Sequence, residues 1–205
     1  MIHFGVIHAT QRISPTLHVT AASLEVAGVP FFTVFPDSGG LGASANLDRA
    51  IRFMSKSARH EDHVCVLDDD LVIGSLAPLY AAVERDPRGL YSLWTIEQNI
   101  PHERRRETGW IGVAPHMHLW GGSVVIPARM ATSVAFRIAS IINKQPELRT
   151  KPDAALFLAL EQEGVREVCF HVPSLVTHIG IDESTLGNDH SDGATRGYRF
   201  NEWIQ

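Results

Sequence analysis

The sequence predicts an α/β fold in which a mostly parallel sheet is flanked by helices, within a single compact domain. Short apolar segments alternate along the chain with longer amphipathic segments. Glycine, proline and aspartate stand between them, where turns are expected. The length of 205 residues, with 44% hydrophobic and 20% charged residues, is ordinary for one globular domain.

The first half of the chain carries the clearest alternation of strands and helices. Residues 29–35 are rich in β-branched and aromatic side chains and end at Pro36, which is typical of a strand. Strands separated by helices form parallel sheets that are covered on both faces. The elements expected here are a strand at 2–9, a helix introduced by residues 14–16 and ending at 26, a strand at 29–35, a helix from 46, a strand at 64–67, a helix at 77–85 and a strand at 90–94.

The helix from residue 46 shows the amphipathic pattern best. Leu47, Ile51 and Met54 recur at helical spacing while charged residues fall between them. We expect Ser44 or Asn46 to cap this helix.

The second half begins with an irregular stretch at 97–115, which is a candidate mobile loop. Proline in the first turn and glycine at the end favour a helix at 150–164. From residue 182 the chain is polar and rich in turn-forming residues. The other elements expected here are a strand at 120–127, a helix at 128–143 and a strand at 170–178.

Charge and composition exclude several classes of protein. Eighteen basic and 23 acidic residues give a net charge of −5, which argues against a broad basic surface for nucleic acid. No apolar run is long enough to span a bilayer, and the start lacks the pattern of a secretion signal. We therefore expect no membrane insertion and a cytoplasmic location. Cys65 and Cys169 lie in apolar runs, as buried thiols do in a reducing compartment.

Three consecutive carboxylates, Asp68, Asp69 and Asp70, directly follow the strand at 64–67. Adjacent like charges repel, and a divalent cation is a natural means of offsetting the repulsion. Oxygen ligands favour Mg²⁺ or Mn²⁺, often bound together with phosphates. The end of an apolar strand in an α/β sheet is also where ligands bind in that class. The alternative is a solvated acidic turn.

Residues 64–72, which contain this triplet, resemble the Asp-x-Asp element of glycosyltransferases with the GT-A fold, which bind nucleotide sugars. Other segments resemble parts of that family in the same order, and the resemblance covers nearly the whole chain. In its small size the chain is similar to members of the family that viruses or bacteria encode. This chain departs from the family in its short length and in having a lone Asp153 where an acidic pair is usual. The other resembling segments are 42–52, 120–123, 152–153 and 176–180.

The resemblance implies a nucleotide-binding half at 1–96, a mobile loop at 97–118, and an acceptor half with a C-terminal tail at 119–205. It also implies that Asp68, Asp70 and His178 hold Mn²⁺ or Mg²⁺. For His178 the alternative is a core histidine bonded to a backbone carbonyl. The donor-binding residues that the resemblance implies are Thr10, Arg12, Asp37, Asn46, Arg49, Asp68, Asp69, Gly121 and Gly122.

Each donor-binding residue also has a structural interpretation. Thr10, Arg12 and Asp37 follow strands where a base, ribose or diphosphate would lie, but they are equally turn-forming residues. Asn46 and Arg49 suit a nucleobase and a diphosphate, or a helix cap and a surface charge. Glycine at 121–122 lets the backbone approach a sugar closely, or forms a strand bulge.

Asp153 is the candidate general base, because the resemblance puts it beside the acceptor. The first turn of a helix favours the ionised carboxylate. Acidic residues are also frequent there simply because they stabilise the helix.

Three further groups have both a functional and a structural interpretation. The arginines at 104–106 suit phosphates or an anionic acceptor, or form a solvated charge run. His116 and His118 would share one face of a strand, with no evident third metal ligand. Trp110 and Trp120 suit sugar rings or apolar packing.

These observations predict a metal-dependent, inverting transferase that moves a sugar from a nucleoside diphosphate sugar to a hydroxyl. The donor is a UDP-sugar by frequency within the family. The acceptor is a glycan, a small molecule or a hydroxymethylated DNA base, and the oligomeric state stays open. The alternatives are a metal-dependent nucleotidyltransferase or phosphohydrolase, and a nucleotide-sugar-binding module without catalysis.

Overall fold

The computed structural model describes residues 1–10, 16–37, 39–115, 123–179 and 197–203. Its helices are α1 (Thr16–Val26), α2 (Ala43–Ser57), α3 (Ala77–Arg85), α4 (Ala128–Lys144) and α5 (Pro152–Gln162). Its strands are β1 (Ile2–His8), β2 (Thr33–Pro36), β3 (His63–Asp68), β4 (Leu71–Ile73), β5 (Tyr91–Ser92), β6 (Gly109–Val113), β7 (Ser123–Pro127), β8 (Val168–Val172) and β9 (Val176–His178).

A seven-stranded sheet in the order β2-β1-β3-β7-β5-β8-β6 forms the centre of the fold. β1 pairs in parallel with β2 and β3, and β5 pairs in parallel with β8. β7 and β6 run antiparallel to their neighbours, so five of the seven strands share one direction. The predicted α/β class with a mostly parallel sheet is confirmed. β4 and β9 form a small antiparallel sheet of their own.

Apolar cores cover both faces of the large sheet. Along β3, Val64 and Val66 face a core built with α2, α4 and α5, whereas Cys65 and Leu67 face a core that includes side chains of α1, α3 and the small sheet. β3 is therefore buried on both sides, which explains why its sequence is apolar without alternation.

Two glycines fix how α2 sits against its neighbours. A Cβ on Gly5 of β1 would lie 2.8 Å from Met54 Sδ of α2 and 2.8 Å from the Phe35 ring, so a larger residue would require these side chains to shift. Gly42, just before α2, has a φ of +87° and would place a Cβ 2.8 Å from Arg149 O. The 3₁₀ turn Pro146–Thr150 therefore lies directly against the start of α2, and it brings the first turn of α5 to the same edge of the sheet.

The start of α2 differs from the prediction. The helix begins at Ala43 after Gly42, and no side chain caps it. Ser44 and Asn46, the two expected caps, lie inside the helix and bond elsewhere. Ser44 Oγ donates to Leu148 O, and Asn46 Nδ2 donates to Phe35 O. These side chains hold the helix to its neighbours, so the prediction of a cap was wrong.

Several strand boundaries also differ from the prediction. β2 begins at Thr33 rather than at 29, because Pro30 lacks a donor for the ladder. The single strand expected at 170–178 is two strands, β8 and β9, in different sheets. Within the stretch expected to be irregular, residues 109–113 form β6, whose two glycines hide the strand pattern. No helix in the described ranges could cross a membrane.

Candidate functional site

A cavity of about 290 Å³ opens where β1, β2 and β3 end at the same edge of the sheet. Its walls come from these strand ends, from the first turn of α2 and from the turn before α5. This edge is where open α/β sheets bind their ligands. The polar residues and glycines that line it include His8, Thr10, Asp37, Gly40, Gly42, Asn46, Asp68, Asp69 and Thr150.

The three consecutive carboxylates diverge. Asp68, the last residue of β3, lines the cavity. Asp69 turns toward the end of β1, where its Oδ2 accepts a hydrogen bond from His8 Nδ1 at 2.5 Å and one from Ala9 N at 3.2 Å. Asp70 turns toward β9, where its Oδ2 lies 2.8 Å from His178 Nε2. Two histidines from neighbouring strands thus help to offset the repulsion between adjacent buried carboxylates.

The small sheet positions His178 beside Asp70. Leu71 of β4 stands opposite His178 of β9, and Ile179 N donates to Asp70 O at 2.8 Å. The ring of Trp94 stacks on the His178 ring with 5.5 Å between centroids. Asp70 is only 1% exposed. The structure therefore brings together two of the three expected metal ligands.

The Asp70–His178 pair fits a divalent cation in its chemistry. Two neighbouring ligands, each about 2.1 Å from one ion, lie roughly 3 Å apart, close to the separation seen here. Carboxylate and neutral imidazole are both ligands of Mn²⁺. Within the described ranges, no group of three His, Cys, Asp or Glu side chains could hold a metal. An ion at this pair would take other ligands from water and from a bound phosphate, as Mg²⁺ commonly does.

Thr10 and Asp37 line the cavity, and both also stabilise its rim. Thr10 Oγ1 donates to Asp37 O at 2.9 Å. The Asp37 carboxylate accepts backbone hydrogen bonds from Leu41 N at 2.8 Å and from Gly42 N at 3.2 Å. Their turn-forming interpretation is correct, and it does not remove them from the cavity wall.

Asn46 and Arg49 connect α2 to the end of β2. The Asn46 amide is 2% exposed; it donates to Phe35 O and accepts from Arg49 Nη2 at 2.7 Å. Arg49 Nη2 also donates to Pro36 O at 2.5 Å. Asn46 lines the cavity, whereas Arg49 is not among the described residues that line it. The expected contact of Arg49 with a diphosphate therefore has no support in this geometry.

Asp153 lies in the first turn of α5, half-buried, next to Pro152, which lines the cavity. The residue before the helix, Lys151, makes no side-chain cap. Asp153 forms no hydrogen bond or ion pair with any residue that the structure describes. Its position in the first turn still stabilises the helix through the dipole, so both interpretations of this carboxylate stand.

Several residues singled out in the sequence lie elsewhere. Trp110 packs edge-on against Tyr91 and His171, which is the structural interpretation. Arg104 and Arg105, in a segment beside the far edge of the sheet, pair with Glu107 and Glu97, at 2.9 Å and 2.7 Å. The predictions for Arg12, His116, His118, Trp120, Gly121 and Gly122 lie outside the described residues.

Sequence reasoning missed His8, which lines the cavity and bonds to Asp69. A signal was present, because His8 is a polar residue at the end of an otherwise apolar strand. Its position at the carboxyl end of β1 predicts a side chain at the ligand-binding edge.

Comparison with known proteins finds likeness among solved structures. No family model and no curated protein match the chain. The chain is similar to a crystal structure of the galactosyltransferase LgtC in complex with donor and acceptor sugar analogs, with 13% sequence identity and a TM-score of 0.48. The likeness covers 97% of this chain and 94% of that one.

Proposed function

We propose that this chain is a metal-dependent glycosyltransferase that moves a sugar from a UDP-sugar to a hydroxyl group of an acceptor. One observation carries the proposal. Asp68 and Asp69 share a cavity with the start of α2 at the carboxyl ends of β1, β2 and β3, and the next residue, Asp70, pairs with His178.

The carboxylates and the imidazole are the residues that would hold Mn²⁺ or Mg²⁺. Asp70 and His178 would supply one oxygen and one nitrogen ligand, and water and the bound diphosphate would supply the rest, as Mg²⁺ commonly takes them. A bound cation would stabilise the negative charge that grows on the diphosphate as the bond to the sugar breaks. The N-terminal turn of α2 favours negative charge in the same cavity.

The nucleoside occupies the part of the cavity beside the ends of β1 and β2. Thr10, Asp37 and the first turn of α2 form the wall there. Asp37 and Thr10 keep this wall rigid through their hydrogen bonds, so that the binding surface is formed before the ligand arrives. We assign the nucleoside as uridine by the GT-A resemblance.

Asp153 is the general base that takes the proton from the acceptor hydroxyl. It stands next to the cavity wall, in a helix turn that favours an ionised carboxylate. A positioned carboxylate contributes roughly 10²- to 10⁴-fold to such a step. Attack assisted by a base from the side opposite the diphosphate inverts the configuration of the sugar. The acceptor is a glycan, a small molecule or a hydroxymethylated base in DNA.

Titration calorimetry with a panel of nucleoside diphosphate sugars, with and without Mn²⁺, tests this proposal. The expected result is binding of a UDP-sugar that requires Mn²⁺, followed by slow hydrolysis of the bound donor. Asp153→Asn is expected to fold and to bind the donor normally while transfer falls about a hundredfold or more. Arg137→Gln, which removes a charge that pairs with Glu163 at the C-terminal end of α5, is the control and is expected to leave donor binding and transfer unchanged.

The same panel separates the alternatives. Turnover of a nucleoside triphosphate without sugar transfer would indicate a nucleotidyltransferase or phosphohydrolase. Donor binding without hydrolysis or transfer to any acceptor would indicate a binding module. Retained configuration in the first product would contradict direct attack assisted by Asp153.

A further inference from the structure

His8 is the histidine of the cavity wall. It ends β1, its side chain is 21% exposed, and its Nδ1 lies 2.5 Å from Asp69 Oδ2. Asp69 is only 2% exposed and accepts a second hydrogen bond from Ala9 N at the same oxygen. The two side chains thus connect the ends of the adjacent strands β1 and β3.

The bond to Asp69 determines which nitrogen of His8 carries hydrogen. An ionised carboxylate can only accept a hydrogen bond, so Nδ1 must be the donor. In the neutral ring Nε2 is then an acceptor. No residue in the described ranges forms a hydrogen bond with Nε2. His8 therefore brings one hydrogen-bond acceptor to a cavity whose other side carries carboxylates.

A second histidine on the same strand shows the opposite arrangement. His3, at the other end of β1, contacts Asp62 Oδ2 through Nε2 at 3.2 Å. By the same argument, its hydrogen is on Nε2 in the neutral ring. Each histidine can serve as the control for the other, because each pairs with an aspartate at one end of β3. His3 pairs with Asp62 just before the strand, and His8 pairs with Asp69 just after it.

We propose that His8 Nε2 accepts a hydrogen bond from the nucleoside of the donor, and that Asp69 is a positioning residue that fixes the tautomer. The inference rests on the proposed function, because it needs a nucleotide in the cavity. A neutral acceptor is repelled by phosphate oxygens, so the partner is an N–H or O–H group. In uridine this group is the ring N3–H or the ribose 2′-hydroxyl.

This inference changes the expected function of Asp69. The sequence suggested contact with the donor sugar, but its Oδ2 is occupied by His8 and Ala9. Asp69 acts on the ligand through the imidazole. The middle carboxylate of the triplet thus serves recognition, while Asp70 serves the cation.

The tautomer can be measured on the protein without ligand. Ring ¹⁵N chemical shifts of the histidines, recorded at neutral pH, are expected to show His8 protonated at Nδ1 and His3 protonated at Nε2. In Asp69→Asn, whose amide can also donate, the His8 shifts are expected to move toward a mixture of tautomers. A His8 ring protonated at Nε2 in the wild-type protein overturns the inference, whatever the ligand.

Binding of UDP, CDP and 2′-deoxy-UDP in the presence of Mn²⁺ then tests the contact. CDP lacks the ring N–H, and 2′-deoxy-UDP lacks one ribose hydroxyl. The wild-type protein is expected to prefer UDP over one of the two by about tenfold or more. His8→Phe is expected to erase that preference. If the variant loses the preference for UDP over CDP, the contact is to the base, and if it loses the preference over 2′-deoxy-UDP, the contact is to the ribose. His3→Phe is the control and is expected to keep it.

The outcomes separate this inference from the proposed function. Equal weakening of all three nucleotides in His8→Phe would show that the contact is to neither the ring N3–H nor the 2′-hydroxyl, and would overturn the inference. An unchanged preference for UDP in His8→Phe would also overturn the inference. In both cases, UDP binding by the wild-type protein would leave the transferase proposal standing. No binding of any nucleotide by the wild-type protein would overturn the proposed function and the inference with it.

Discussion

The two ends of the β1–β3 pair use the same residue types for different purposes. At the amino end, Asp62 is 2% exposed and lies 3.0 Å from the Met1 ammonium and 3.2 Å from His3 Nε2. The backbone N–H of Arg59 also donates to it at 2.8 Å. At the carboxyl end, Asp69 and Asp70 bond to histidines, and Asp69 lines a cavity.

The difference shows how surroundings decide the function of a buried carboxylate. Burial by itself would raise the pKa of Asp62, but hydrogen bonds from Arg59, His3 and the terminal ammonium lower it on balance. Asp62 is thus a stabilising anion whose hydrogen-bond partners all belong to the protein itself. The carboxylates at the other end have neighbours that leave access to a cavity, which suits a ligand or an ion.

The largest expected difference between the two ends is in donor binding. Asp70→Asn keeps the shape of the side chain and an acceptor for His178 but removes the charge. We expect Mn²⁺-dependent binding of UDP-sugar to weaken by at least about 100-fold. Asp62→Asn, the matched change at the amino end, is expected to bind the donor normally. Calorimetry on both variants measures the contrast, and equal affinities in both would contradict the metal site.

The next effect concerns the wall between α2 and the turn before α5. Gly42→Ala forces a side chain into a φ of +87° and against Arg149 O. We expect a loss of about 2–3 kcal/mol in the free energy of unfolding and weaker donor binding. Gly28→Ala, which also has positive φ but has open space around it, is the control. It should lose stability without losing affinity for the donor.

Asp62→Asn tests the amino end through stability. A lowered folded-state pKa means that the ionised carboxylate stabilises the fold above the unfolded value of about 3.9, and that this contribution is lost as the pH falls. We expect the variant to be less stable by about 1–2 kcal/mol at pH 7. Urea unfolding at pH 7 and pH 3 measures both values. A stability difference between the wild-type protein and the variant that is as large at pH 3 as at pH 7 would contradict this account of Asp62.

The smallest expected effect comes from His63, the neighbour of Asp62. Burial, assisted by the terminal ammonium, lowers the pKa of His63. The unfolded chain therefore binds more protons below about pH 6.5, and stability falls by about 1 kcal/mol between pH 7 and pH 5.5. His63→Gln should reduce this dependence, and part of it should remain because burial also lowers the pKa of His171. His60→Gln, at an exposed histidine, should leave the pH dependence of stability unchanged. A wild-type stability that does not fall between pH 7 and pH 5.5 would contradict this prediction.

The regular part of the fold was predictable because its signals are local. The helix at 77–85 and the α/β class follow from periodicity and alternation, and both agree with the structure. The start of α2 was not predictable, because Ser44 and Asn46 bond to Leu148 and Phe35, one of them far away in sequence. β4 is three residues long, too short for a pattern to indicate a strand.

The candidate site was predictable to a similar degree. The triplet and its position after a strand pointed to the cavity, and the family order pointed to His178. The pairing of Asp70 with His178 depends on the register of β4 and β9, which no local pattern contains. His8 was missed because a histidine at a strand end is more often structural. The bonds of Arg49 to Pro36 O and Asn46 were not predictable, since a charged residue in a helix gives no indication of which carbonyl it will reach.

A crystal structure of the protein soaked with UDP and Mn²⁺ tests the central claim most directly. The account predicts anomalous density for the ion within bonding distance of Asp70 and His178, with the nucleoside against His8 at the carboxyl ends of β1 and β2. An ion held elsewhere, or a nucleotide bound away from this cavity, would contradict it.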